Sequence, residues 1–178
     1  LGLVEDLVPF AVGDVNLGQV PAGDRLFVPE QMMRDFFRTR QATRYTLLRQ
    51  CVEHYAAVAP VACLSPPPPR GQIDKLDRPG RFAGILDRGF APSELRRKLY
   101  GIELYTLREF CRISNIDLIE APDKAKDTEG YLREDCHAGD PTHGNTRYGA
   151  LVLDQIQERL SQAGLALSEV GAQPERSM

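Results

Sequence analysis

The chain reads as an α/β domain in which a parallel sheet is covered by helices on both faces. Three observations predict this. Two short apolar runs, residues 59–64 and 116–119, are short enough for strands and lack the polar alternation of a sheet with one wet face. Each follows a segment whose apolar residues recur at spacings of three and four, the period of a helix. The 178 residues, 42% hydrophobic and 26% charged, suffice for one core, because a domain of about 150 residues hides roughly two thirds of its unfolded surface.

Taken in order, residues 1–29 are punctuated by Gly13-Asp14, Gly18, Pro21 and Gly23-Asp24, and read as loops around at most one strand. Residues 29–40 place Met32, Met33, Phe36 and Phe37 on one helical face, with Pro29 suited to the first turn. A second helix is expected over residues 42–57, with Leu47, Leu48, Cys51 and Tyr55 facing inward. The run 59–64 is a buried strand that Ser65 and the prolines Pro66 to Pro69 bring to a stop, since proline cannot extend a ladder. Residues 71–90 form a polar excursion, and Arg70, Arg78, Arg81 and Arg88 around it read as solvated loop charge. A long helix over residues 92–114 turns Leu95, Leu99, Ile102, Tyr105 and Phe110 inward, and residues 116–119 supply the next buried strand. A loop of roughly twenty-five residues follows, longer than connections usually are. The last helix starts near Thr146, capped by Asn145 or Thr146, and buries Tyr148, Leu151, Val152, Ile156 and Leu160. Residues 1–163 therefore form one domain and residues 164–178 a frayed tail.

Composition excludes several functions. With 22 Lys+Arg against 25 Asp+Glu the net charge is −3, so no basic excess serves nucleic acid or an acidic membrane surface. No apolar run approaches the roughly 18 residues of a membrane span, and the N-terminus as given lacks a basic segment followed by a signal-peptide core; the scattered thiols lean toward the cytoplasm, with secretion of the full-length parent left open. Cys51, Cys63, Cys111 and Cys136 form no C-x-x-C pair, so zinc-ribbon and thioredoxin-like chemistry are set aside in favour of free core thiols. No cofactor is implied, and oligomeric state is not legible.

Ligands of open parallel sheets collect beyond the carboxyl ends of the strands, where the proline loop and the loop reaching Asp140 and His143 both lie. An aspartate three residues before a histidine can accept a hydrogen bond from the imidazole, fix its tautomer and stabilise the imidazolium, leaving the other ring nitrogen as a base. The same D-x-x-H spacing also arises in ordinary turns. Asp135, Cys136 and His137 with Asp140 and His143 contain metal-ligand types, but adjacent residues rarely converge on one ion, and no metal is assigned. His54 reads as an ordinary surface or structural histidine.

The block Asp140-Pro141-Thr142-His143-Gly144-Asn145-Thr146-Arg147-Tyr148-Gly149 resembles the C-terminal block of SGNH/GDSL hydrolases, in which D-x-x-H is followed by a small residue, Asn and a Tyr-Gly leading into the final helix. Cys63 to Pro69 resembles that family's strand and proline-rich loop. Ile116 to Pro122 and Gly130-Tyr131-Leu132 resemble its next strand and the run to the catalytic loop. The resemblance spans residues 59–160. It implies a three-layer sandwich with a parallel sheet, SGNH/flavodoxin-like, and a serine hydrolase of small-molecule esters with His143 as general base and Asp140 orienting it. Asn145, Tyr148 and Gly149 would be structural. The family's Gly-Asp-Ser nucleophile block and oxyanion donors are not legible: Val12-Gly13-Asp14-Val15-Asn16 has valine where serine is required, and Ser65 reads as a turn residue. The sequence is accordingly expected to be N-terminally incomplete. The alternative is a catalytically inactive SGNH-like module that binds a carbohydrate or acyl group.

Overall fold

The computed structural model describes residues 10–13, 26–73 and 90–162. The expected tail, most of the arginine-rich excursion, and Asp14, Val15 and Asn16 lie outside the described residues. In chain order the elements are β1 (Phe10–Gly13), β2 (Leu26–Pro29), α1 (Glu30–Tyr55), β3 (Ala62–Leu64), α2 (Ser93–Ile113), β4 (Asp117–Ile119) and α3 (Thr146–Gln162), with 3₁₀ turns at Asp123–Ala125 and Glu134–Cys136. The protein is thus mixed α/β with parallel strand pairs.

Two helices were expected where α1 runs unbroken. Between Glu30 and Tyr55 there is neither glycine nor proline, and Gln41-Ala42-Thr43 contains nothing that ends a helix. Its buried face also differs from the expected one. Phe37 is buried, and Met33, Tyr45, Leu48 and Val52 pack inward, whereas Met32, Phe36, Leu47, Cys51 and Tyr55 are exposed. Successive helical residues are about 100° apart, so of two adjacent apolar residues only one can meet α2. Tyr105 of α2 is exposed for the same reason, where its face was expected to be buried; the Arg34 guanidinium lies 4.0 Å above its ring.

The core follows the α1–α2 contact. Phe37, Leu99 and Ile102 form one cluster with Met33 and Leu95. Cys63, Leu107, Phe110, Cys111 and Ile116 form another, closed by Tyr45, Leu48, Val52 and Leu118. The Tyr45 and Phe110 rings stack at 4.2 Å. All four cysteines are free; Cys63, Cys111 and Cys136 are buried. Burial pushes the Cys111 thiol up to about 12, so it stays protonated and behaves as a hydrophobe.

Helix α2 ends in a defined stop. Asn115 takes a left-handed conformation (φ 53°), the Ile116 amide donates back to the Cys111 carbonyl at 2.8 Å and the Asn115 amide to Arg112 at 3.4 Å. This is the Schellman arrangement, with asparagine in glycine's usual place. It turns the chain straight into β4, which pairs in parallel with β3 in the register Ala62↔Asp117, Cys63↔Leu118, Leu64↔Ile119. These strands are less buried than expected: Cys63 and Ile119 point inward while Ala62, Leu64 and Asp117 are exposed. The N-terminal region, read as at most one strand, holds two: β1 pairs in parallel with β2, Phe10↔Leu26 through Gly13↔Pro29. Among the described residues no helix is long and apolar enough to cross a membrane.

Replacing Phe37, only 1% exposed, by alanine is expected to cost about 3–5 kcal/mol. Leu47→Ala, on the exposed face, is expected to stay within about 0.5 kcal/mol. Urea denaturation of the two variants measures the contrast, and equal losses would place the helix face wrongly.

Candidate active site

Beyond β4 the chain must satisfy its backbone groups without a ladder, and side chains do much of this. The Ser65 hydroxyl accepts the Ala121 amide at 3.0 Å and donates to the Pro66 carbonyl at 3.2 Å, while the Ser65 amide donates to Ile119. The Asp127 carboxylate accepts the amides of Glu129 and Tyr131, and Gly130 supplies the positive φ of 87° that this turn needs. Ala125, Leu132 and Cys136 then bury themselves beneath Tyr148 and Leu151 of α3. The segment that looked like a bare loop therefore carries its own small core.

From this base projects the loop 138–143. Its neck is closed by the Asn145 amide on the Cys136 carbonyl (2.9 Å) and by the Ala138 amide on the His143 carbonyl (3.2 Å). Asn145 also starts α3. Its side-chain oxygen accepts the amides of Arg147 and Tyr148, and its side-chain nitrogen donates to the Asp135 carbonyl, so of the two expected caps Asn145 is the one used. Gly144 lies directly under the Tyr148 ring, where any Cβ would overlap the ring's inner carbons. No residue of α3 is fully buried; its expected stripe of Tyr148, Leu151, Val152, Ile156 and Leu160 is half-buried.

The structure brings Asp140 and His143 together. Imidazole Nδ1 lies 2.8 Å from Oδ2 and 2.9 Å from Oδ1. A carboxylate offers only acceptors, so the neutral ring meets it with Nδ1–H and keeps its lone pair on Nε2. The same Oδ1 accepts the Thr142 amide (2.8 Å), the Thr142 hydroxyl (3.0 Å) and the His143 amide (3.0 Å). Partial burial by itself would raise the Asp140 carboxyl; the hydrogen bonds from Thr142 and His143 outweigh it and hold the group below its usual range. The His143 side chain is 67% exposed and that of Asp140 26%, so the ring is held from one side and open to solvent. A depression of about 660 Å³ lined by Asp127, Arg133, Glu134 and Asp135 includes neither residue.

The other candidates are placed elsewhere. Ser65 is buried and its hydroxyl is committed to the β3–β4 junction. His137 donates Nε2–H to the Leu132 carbonyl at 2.9 Å, and burial, the largest influence, pushes its imidazole below the ordinary value. Cys136 is fully buried and Asp135 pairs with Arg133 and Arg147. Among the described residues no group of three or more His, Cys, Asp or Glu is set to hold a metal. His54 is exposed in the last turn of α1, beside the Tyr55 ring.

Two residues near the pair escaped the sequence reading. Thr142 is one; an Asp-x-Thr turn was a legible signal for it. Arg70 is the other. It was read as solvated loop charge, yet it is half-buried and donates Nη1–H to the Asp140 carbonyl at 3.2 Å. Comparisons with protein-family models, curated proteins and solved structures found no match.

Two outcomes are expected. Asn145→Ala should cost roughly 1 kcal/mol, the usual value of a lost cap, measured by urea denaturation; an unchanged midpoint would refute the cap. For Asp140, a folded pKa below the unfolded one means stability that is present above the ordinary carboxylate range and lost as pH falls through the folded value. The melting temperature of the Asp140→Asn protein should therefore fall less steeply on acidification than that of the parent. Parallel curves would contradict the depressed carboxyl.

Proposed function

We propose that this chain carries the acid–base half of a Ser-His-Asp ester hydrolase of the SGNH/GDSL type, with His143 as general base and Asp140 as its orienting carboxylate. The observation that carries the proposal is the 2.8 Å contact between Nδ1 and Oδ2, formed within the one block of sequence that resembles the family most closely. In this reading Nε2 accepts the proton of a serine hydroxyl as it attacks the ester carbonyl, and returns it to the leaving alkoxide. Asp140, ionised throughout, stabilises the imidazolium formed in between. Water then repeats the sequence on the acyl-enzyme. The parallel pairs β1–β2 and β3–β4 would be parts of one sheet in a three-layer sandwich. The substrate class is a small-molecule ester, and the cytoplasm is the compartment proposed.

A second reading is favoured by one specific observation. Val15 stands where the look-alike Val12-Gly13-Asp14-Val15-Asn16 would need its nucleophile, and the Ser65 hydroxyl is already engaged. On this reading the scaffold is a catalytically inactive module that binds a carbohydrate or acyl group near Asp140 and His143.

The whole protein that carries this chain decides between them. A fluorophosphonate should label it covalently, and His143→Ala should abolish the labelling. Asp140→Asn keeps an oxygen to accept the loop amides but cannot hold an imidazolium, so ester hydrolysis should fall by on the order of 10³–10⁴ while the protein stays folded. A folded whole protein that takes no label supports the binding module instead.

A further inference from the structure

Arg70 stands at the end of the proline loop, and the backbone around it is gripped from two directions. On one side the Leu132 amide donates to the Pro69 carbonyl at 2.9 Å, and residues 70 and 132 form a parallel bridge. On the other, Arg96 in the first turn of α2 is buried and donates to three carbonyls: Nε to Ala91 at 2.8 Å, Nη1 to Arg70, and Nη2 to Gly71 at 3.0 Å. A buried guanidinium is costly unless its donors are used, and here they are spent on fixing the chain at Arg70.

From that fixed position the Arg70 side chain crosses to the carbonyl of Asp140, seventy residues further along the chain. The acceptor is a significant one. The next residue is Pro141, so the peptide joining them has no N–H, and its carbonyl is the only hydrogen-bonding group through which that unit can be held. The peptide plane sets the direction in which the Asp140 side chain leaves the backbone, and hence where the carboxylate meets the ring. Asp140 is clamped at its carboxylate by Thr142 and His143 and at its carbonyl by Arg70.

We infer that Arg70 is a positioning residue for the Asp140–His143 pair, holding the Asp140 peptide so that the carboxylate faces Nδ1. The catalytic meaning of this rests on the hydrolase reading; the positioning is a property of this chain and is measured on it directly.

The test is ¹⁵N NMR of the His143 ring in the parent, Arg70→Met, Arg70→Gln and Asp140→Asn proteins. In the parent, the neutral ring should show a protonated Nδ1 and an unprotonated Nε2. Asp140→Asn should bring the two nitrogen shifts toward each other, as tautomers mix. Arg70→Met and Arg70→Gln, the latter two bonds too short to reach Asp140, should move them in the same direction. A purely structural arginine would change the melting temperature without changing the tautomer. If the Arg70 variants keep the parental ring signals while Asp140→Asn does not, the positioning role is overturned and the hydrolase reading stands. If Asp140→Asn also leaves the ring unchanged, the pair does not exist in solution and both fall. Should an Arg70 variant unfold, the unaltered protein decides: an engaged guanidinium gives separate Nη resonances from hindered rotation, and a single averaged resonance overturns the inference.

Discussion

The site depends on one oxygen atom. Oδ1 of Asp140 accepts two backbone amides and a hydroxyl from the residues that follow it and lies within reach of the imidazole as well. The turn that delivers His143 is therefore built by the group His143 is delivered to. A carboxylate has lone pairs enough for this crowd of donors, and the crowding keeps it ionised. Shape and chemistry have one origin here: of the residues between Asp140 and His143, Thr142 contributes a hydroxyl and a backbone amide, and Pro141 has no amide to give.

The surroundings explain how an irregular segment can hold such a turn steady. Packing between α1 and α2 fixes the direction of α2, and the Asn115 stop converts that direction into the course of β4. The register of β4 on β3 then brings Ser65 beside Ala121, so the two loops leaving the strand ends start from a common anchor. Beyond that point Ala125, Leu132 and Cys136 pack under Tyr148 and Leu151, and the Asn145 cap joins the turn to α3. Each step uses either apolar contact or a side chain bonded to backbone, as a stretch without ladder partners requires.

What the sequence made legible follows the range of the interactions. The D-x-x-H block, the capping asparagine, the core thiols and the extents of α2 and α3 are local patterns, set by residues within a few positions of one another. The unbroken run of α1 reads in sequence as two helices because the polar stretch Arg38 to Arg44 interrupts the apolar face, although no helix-breaking residue lies there. Which of Met32 or Met33, or of Phe36 or Phe37, turns inward depends on where α2 lies, and no local spacing carries that. The parallel pairing of β1 with β2 and the tethers from Arg70, Arg96 and Ser65 are longer in range still. An arginine destined to bind carbonyls looks, in sequence, like any arginine in a polar loop.

Arg96 has a consequence of a different kind. A guanidinium begins so far above neutrality that burial, which lowers it, leaves its proton in place under ordinary conditions. Acid that empties the Asp140 carboxylate of charge leaves the Arg96 guanidinium charged. The three carbonyls clasped by Arg96 feel none of it. The backbone at Arg70 is thus held by a group that keeps its charge at acidities where the Asp140 carboxylate loses its own.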